Sequence, residues 1–194
     1  MQRVKTYSLT WVPQALRDAG LKVEEIPGWR SRGTGDMRHV QGVILHHTAG
    51  SSVGNMPSLD TIVRGRSNLR GPLSQLALGR DGTYYMVAAG RANHAGPGAF
   101  AGISEGNSHF IGIEAENTGY TKGPRAEDWP EKQLEAYIKG VAALLKYIKA
   151  PAKMAIGHKE WATPHGRKVD PTFDMAKFRD QLERELENGN REDI

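Results

Sequence analysis

A short apolar run that ends in two histidines constrains the fold of this chain more than any other feature. Residues 40–45 are rich in β-branched side chains, and His46 and His47 follow directly. Such a run predicts a buried strand. An imidazole at the end of a buried strand is held on a rigid support, where it can serve as a ligand. The alternative is that His46 is an ordinary hydrogen-bonded core histidine, because histidine is commonly part-buried.

The rest of the hydrophobic pattern predicts strands that alternate with helices. Further strands are predicted over residues 73–78, 83–87, 110–116 and 155–157. Helices are predicted over residues 8–20, 58–64, 130–148 and 174–187. The segment Arg80-Asp81-Gly82-Thr83 predicts a hairpin turn, because Asp-Gly supplies the positive φ that such turns need. Hairpin and parallel-crossover signals occur together, so we predict an α/β fold with a single mixed central β-sheet flanked by helices.

Charge and hydropathy limit the classes of partner. The net charge of +4 favours polyanionic surroundings such as nucleic acid, anionic lipid or an acidic cell-wall polymer. No Lys/Arg block or zinc-finger spacing is present, so nucleic acid is not an expected partner. The N-terminus lacks the apolar core of a signal peptide, and no stretch is apolar enough to span a bilayer. We therefore expect synthesis in the cytoplasm and no membrane insertion.

A second group of candidate ligands lies far downstream of the histidine pair. His158 follows the predicted strand 155–157, and Asp170 lies in the polar segment 167–171. Two histidines and a carboxylate on separate segments fit a catalytic zinc site with three protein ligands and one open position for water. The chain has no cysteine, so any zinc must be held by nitrogen and oxygen.

Two acidic residues and one basic residue are candidates for the chemistry beside such a metal. Glu114 and Glu116 end the predicted strand 110–116 and share a face by the two-residue strand period, so either could be a general base. Lys168 precedes Asp170 by two residues, which in an extended loop points both side chains to the same side. An ammonium there could stabilise negative charge that develops on a substrate beside the metal. The alternatives are a solvated strand-end glutamate and a surface lysine.

Five segments of the chain stand in an order that is far more specific than any one of them. They are Val43-Ile44-Leu45-His46-His47-Thr48-Ala49, Arg80-Asp81-Gly82, Asn93-His94-Ala95-Gly96, Ile111-Gly112-Ile113-Glu114, and Gly157-His158 followed by Arg167-Lys168-Val169-Asp170-Pro171. Together they resemble the type-2 N-acetylmuramoyl-L-alanine amidase family, which includes phage endolysin amidases and peptidoglycan recognition proteins. The resemblance covers residues 40–180.

The resemblance implies a zinc hydrolase that cleaves the amide bond between N-acetylmuramic acid and L-alanine in peptidoglycan. It implies zinc ligands at His46, His158 and Asp170. It implies the general base at the first strand-end glutamate, Glu114, and a catalytic cation at Lys168. Many phage members have cysteine as the third ligand, whereas a cytosolic recycling branch has aspartate, as this chain does.

Three further residues are expected near the substrate. His94 lies in the loop that lines the substrate groove in the family, so we expect it to contact the peptide stem or the glycan. Trp161 lies between two metal-site segments and could stack on a sugar, with aromatic packing as the alternative. His47 should face away from His46 on the strand, and we place it among the substrate-binding candidates as a structural neighbour of the site.

Two other functions stay open. The first is a module that binds peptidoglycan without cleaving it, but such relatives lack the third zinc ligand, so Asp170 argues against it. The second is a wall peptidase from another class of zinc hydrolase, which would use other ligand spacings. The chain contains no H-E-x-x-H motif.

The expected organisation is a single catalytic domain with short additions. Residues 1–38 are interpreted as an N-terminal extension packed on the main domain, residues 39–187 as the zinc amidase domain, and residues 188–194 as a polar tail. We expect a monomer that acts on peptidoglycan or muropeptides. A phage endolysin that passes from the host cytoplasm to the cell wall through a holin pore fits this organisation, and a cytosolic muropeptide-recycling amidase is the alternative.

Overall fold

Six strands form the central sheet of the computed structural model, which describes residues 5–189. The strands of the chain are β1 Val23–Glu25, β2 Gly42–His47, β3 Gly65–Arg66, β4 Leu69–Arg70, β5 Leu76–Leu78, β6 Tyr84–Met86, β7 Phe110–Ala115 and β8 Ala155–Gly157. The sheet has the spatial order β1-β6-β5-β7-β2-β8, while β3 and β4 form a separate hairpin.

The sheet is mixed, as the sequence predicts. β2 runs parallel to both of its neighbours, β7 and β8, and β5 runs parallel to β7. β6 returns antiparallel to β5 through the turn that contains Gly82, whose φ is 83°. The predicted α/β fold with a single mixed sheet flanked by helices is confirmed.

The helices that flank the sheet are α1 Val12–Asp18, α2 Leu59–Arg64, α3 Gly106–His109, α4 Glu131–Ile148, α5 His158–Trp161 and α6 Met175–Gly189. The longest, α4, packs against β2, α1 and α6. Its residues Tyr137, Val141 and Leu145 recur every four positions and are fully buried. Burial of each such side chain contributes about 1.5–3 kcal/mol, which fixes α4 against the sheet.

The N-terminal segment is more closely integrated than a packed extension. β1 pairs with β6 in parallel and adds an edge strand that the sequence analysis does not predict. Its sequence, Val23-Glu24-Glu25, has no apolar run, and both glutamates are exposed. Leu9 and Leu16 from the same segment are buried in the main core.

The structure shifts several predicted element boundaries. β5 begins at Leu76, three residues later than predicted, and His158 is the first residue of the short helix α5, directly after β8. α6 extends to Gly189, whereas the predicted tail from residue 190 onward lies outside the described residues. Within residues 5–189 no helix combines the length and apolar character needed to cross a membrane.

The parallel arrangement of β7, β2 and β8 decides where polar side chains gather. The three strands are adjacent, so their carboxyl ends lie at one edge of the sheet. In register, His46 lies opposite Glu114, and Leu45 lies opposite Gly157, the residue before His158. Crevices at the carboxyl ends of strands are the usual ligand sites of open α/β sheets.

Candidate metal centre

Three side chains from separate segments converge at this edge of the sheet. His46 Nδ1 lies 3.0 Å from His158 Nδ1 and 3.1 Å from Asp170 Oδ2, and His158 Nδ1 lies 3.0 Å from the same oxygen. All three residues are buried, with exposures of 1% for His46, 5% for His158 and 8% for Asp170. The structure brings together the three groups that the sequence analysis expects as metal ligands.

The hydrogen-bond partner of His158 fixes its tautomer. His158 Nε2 lies 2.9 Å from the carbonyl oxygen of Ala95. A carbonyl oxygen only accepts hydrogen bonds, so Nε2 carries the proton. In the neutral imidazole Nδ1 then has a free lone pair, and this lone pair faces His46 and Asp170.

A chain of two imidazoles fixes the tautomer of His46 in the same way. His94 Nε2 donates to the carbonyl oxygen of Phe110 at 3.1 Å, so the neutral His94 ring has its lone pair on Nδ1. That atom accepts a hydrogen bond from His46 Nε2 at 3.1 Å, which leaves the lone pair of His46 on Nδ1. Burial lowers the pKa of His46 to about 4 and lowers that of His94 as well, so both rings are neutral at pH 7.

The local sequence makes room for the second imidazole. Gly112 lies in β7 directly against the His94 ring, and a Cβ atom there would lie 2.6 Å from His94 Cγ. The glycine in the middle of an otherwise apolar strand therefore lets His94 reach behind His46.

When both imidazoles are neutral, three lone pairs face one another, an arrangement that a metal cation among them stabilises. A tetrahedral zinc with bonds of about 2.0–2.1 Å separates its ligand atoms by about 3.3 Å, close to the spacing of this triangle. Two neutral imidazoles and one carboxylate form a donor set that fits zinc and leaves a fourth position open.

Glu114 has the properties of a general base beside this triangle. It lies at the end of β7 opposite His46, and its Oε2 atom is buried with no hydrogen-bond partner among the described residues. Burial raises the pKa of the Glu114 carboxyl well above its usual value, and the charge of Asp170 raises it further. Proton transfer by a carboxylate is most efficient when its pKa lies near the working pH.

Both carboxylate oxygens of Glu116, the rival candidate, accept hydrogen bonds from groups outside the triangle. The chain leaves the strand at Ala115, and the fully buried Glu116 carboxylate turns toward the segment after β2. It accepts hydrogen bonds from Thr48 Oγ1 at 2.5 Å and from the Ser58 backbone and hydroxyl at 2.9 Å each. Glu116 therefore links the loop after β2 to the start of α2, while Glu114 lines the cavity beside the triangle.

A cavity of about 320 Å³ opens beside the triangle. Its lining includes His47, Thr48, Ala49, Arg66, Leu69, Leu73, Asn93, His94, Glu114, His158, Arg167, Lys168, Val169 and Asp170. The structure therefore brings Glu114 and Lys168 into one cleft with two of the three candidate ligands. Arg66, Arg167 and Lys168 make the cleft cationic.

The three predicted substrate-binding residues have different positions. His47 and His94 line the cleft, but both ring nitrogens of His94 are used on His46 and Phe110. Trp161 is only 1% exposed, its indole donates to the Gly96 carbonyl at 3.1 Å, and its ring packs on Phe110. A buried indole has no free face, so the structure does not support stacking of a sugar on Trp161.

Arg80 holds the loop after β2 in a way that the sequence analysis missed. Its guanidinium pairs with Glu127 and donates at 2.7 Å to the carbonyl oxygens of Ser51 and Gly54. These carbonyls belong to the loop after β2, so the ion pair immobilises that loop. The sequence signal is the Arg80-Asp81-Gly82 segment, which the sequence predicts as part of a hairpin turn and which is one of the five segments of the family resemblance.

The sequence matches one family model over most of its length. The model, described as N-acetylmuramoyl-L-alanine amidase, matches residues 36–173. A search of curated proteins gives no match to the chain.

Solved structures with a similar fold include several amidases. The selenomethionine derivative of AmpD has a TM-score of 0.60 at 22% identity, over 92% of this chain and 99% of that chain. AmiD from E. coli, in complex with the substrate anhydro-N-acetylmuramic acid-L-Ala-D-gamma-Glu-L-Lys, has a TM-score of 0.59 at 19% identity. The match covers 78% of this chain but only 61% of AmiD. The endolysin amidase LysCS from Clostridium intestinale has a TM-score of 0.54 at 18% identity, over 83% of this chain and 95% of that chain. At these identities the likenesses show the fold.

Proposed function

Because the chain belongs to the N-acetylmuramoyl-L-alanine amidase family, we propose that it cleaves the bond between N-acetylmuramic acid and L-alanine with a zinc ion held by His46, His158 and Asp170. The observation that carries the proposal is the triangle of three lone pairs, whose geometry calls for a cation. Two of its members line the same cleft as Lys168 and Glu114, and the Glu114 Oε2 atom is buried without a hydrogen-bond partner among the described residues.

Each of the chain's own groups has a defined task in this reaction. Zinc in this site supplies Lewis acidity that polarises a carbonyl and lowers the pKa of water. Glu114 accepts a proton from the attacking water and then delivers a proton to the amide nitrogen as the C–N bond breaks. Lys168 stabilises the negative charge that develops on the carbonyl oxygen. The products are the lactyl carboxylate of the muramic acid and a stem peptide with a free L-alanine amine.

Product analysis tests the proposed bond directly. The protein is incubated with purified peptidoglycan, and the soluble products are analysed by mass spectrometry. We expect intact stem peptides that begin with L-alanine, and no release after the metal is removed with a chelator. Fragments cut between stem residues would instead indicate a wall peptidase. Binding without any product would indicate a non-catalytic module.

Replacing Lys168 by alanine should lower kcat by about 10²-fold or more, by analogy with the loss of one oxyanion-hole donor. The substrate KM should change little, because the ammonium acts mainly when the carbonyl oxygen becomes negative. Lys168→Arg keeps the charge but changes its geometry, so it should rescue only part of the activity. The measurement is steady-state kinetics on solubilised muropeptides. An unchanged kcat with a raised KM would show that Lys168 only holds the substrate.

The biological role we propose is that of an endolysin, made in the host cytoplasm and passed to the wall through a holin pore. The cationic cleft and the fold shared with an endolysin amidase support this role. The recycling alternative also has support, because the family resemblance gives aspartate as the third ligand of the recycling branch, and this chain has Asp170 there. Intact cell-wall sacculi and soluble anhydro-muropeptides separate the two roles. An endolysin degrades sacculi efficiently, whereas a recycling enzyme acts on the soluble fragments alone.

A further inference from the structure

One side-chain amide lies behind both histidine ligands. Asn107, in the short helix α3, accepts two backbone hydrogen bonds on its Oδ1 atom, from His94 N at 3.0 Å and from Ala95 N at 2.8 Å. Both donors are N–H groups, so the atom that faces them is the amide oxygen. This oxygen anchors consecutive peptide units of the segment between β6 and α3.

The same two residues hold the imidazoles of the metal centre. The His94 ring contacts His46 Nε2 at 3.1 Å, and the Ala95 carbonyl contacts His158 Nε2 at 2.9 Å. These contacts fix both tautomers and leave both Nδ1 lone pairs facing the metal position. One acceptor atom on Asn107 therefore holds the backbone of the two residues that orient two of the three ligands.

The other hydrogen bonds made by the backbone and by Asn93 hold the ends of this segment. Asn93 donates hydrogen bonds to the carbonyl oxygens of Arg70 and Pro72. The carbonyl oxygen of Gly96 accepts a hydrogen bond from the Trp161 indole. Among the described residues, no other acceptor is recorded for the N–H groups of His94 and Ala95. The two backbone N–H groups in the middle of the segment thus depend on Asn107 for their hydrogen bonds.

We propose that Asn107 is a positioning residue that sets the metal affinity of the site through the His94-Ala95 segment. The proposal rests on the metal site of the proposed function. Loss of a partner outside the ligand shell typically lowers metal affinity by about 10–100-fold, because the ligand loses its orientation. One amide that supports two ligands should have an effect within this range.

The test is the zinc dissociation constant, measured by competition with a chromophoric chelator. Asn107→Leu keeps the size of the side chain but removes the acceptor, and it should weaken zinc binding by about 10-fold or more. Asn107→Asp keeps an acceptor oxygen and should restore affinity to within about 3-fold of the native value. Ser104→Ala is the matched control, because Ser104 lines the same surface cavity as Asn107 but has no hydrogen bond to the segment.

A second readout separates positioning from general loss of structure. In the metal-free protein, ¹⁵N NMR of the imidazoles should show His46 and His158 protonated on Nε2, and Asn107→Leu should give tautomer mixtures. If Asn107→Leu does not fold, Asn107→Ala takes its place, with the same expected loss of affinity. Native affinity and native tautomers in the folded variant would overturn the inference alone. A native protein that binds no zinc would overturn both this inference and the proposed function.

Discussion

Replacing His158 by alanine should remove both bound zinc and amidase activity. The change deletes one corner of the triangle and leaves only His46 Nδ1 and Asp170 Oδ2, which are 3.1 Å apart. Mutation of a hydrogen-bond partner outside the metal ligands typically lowers metal affinity by about 10–100-fold. Loss of a ligand itself should lower zinc affinity by more than this. Without the metal, the water is no longer activated at neutral pH.

The measurement for this variant is metal content after dialysis together with release of stem peptides. His165→Ala is a suitable control, because His165 is exposed and lies in the same region of the chain. Circular dichroism of both variants checks that the fold is retained. Full zinc occupancy in His158→Ala would reject the assignment of this ligand.

Replacing Glu114 by alanine should leave zinc bound but lower turnover by about 10²–10⁴-fold, the usual contribution of a general base. The carboxylate is not part of the triangle, so the metal should be retained. The base must be ionised, and burial raises its pKa, so activity of the native enzyme should fall with decreasing pH at a midpoint above 4.5. The measurements are zinc content and the pH profile of kcat/KM.

Glu116→Gln is the comparison that makes this prediction specific. The Glu116 carboxylate accepts hydrogen bonds from Thr48 and Ser58. Glu116→Gln should therefore lower the thermal stability of the loop after β2, while most of the turnover remains. Should a folded Glu116→Gln variant lose more turnover than Glu114→Ala, the choice between the two glutamates would be wrong.

Much of the architecture follows from local patterns in the chain. The β-branched run before His46 and the apolar run before Glu114 have the length and composition of buried strands, and the four-residue spacing in α4 is that of an amphipathic helix. These features depend on residues close together in sequence, so the mixed sheet could be predicted. β1 could not, because Val23-Glu24-Glu25 pairs only where the β6 edge is available to it.

The sequence by itself determined which residue types lie at the strand ends: imidazoles at the end of β2 and directly after β8, and a carboxylate near the end of β7. The family motif then named the three residues that converge. Only the tertiary structure decided which atoms of these residues face one another, because the tautomers of His46 and His158 depend on carbonyl groups distant in sequence. The different surroundings of Glu114 and Glu116, the burial of Trp161 and the support from Asn107 were likewise decided by packing. Each is a contact between segments far apart in the chain, and no local pattern encodes such a contact.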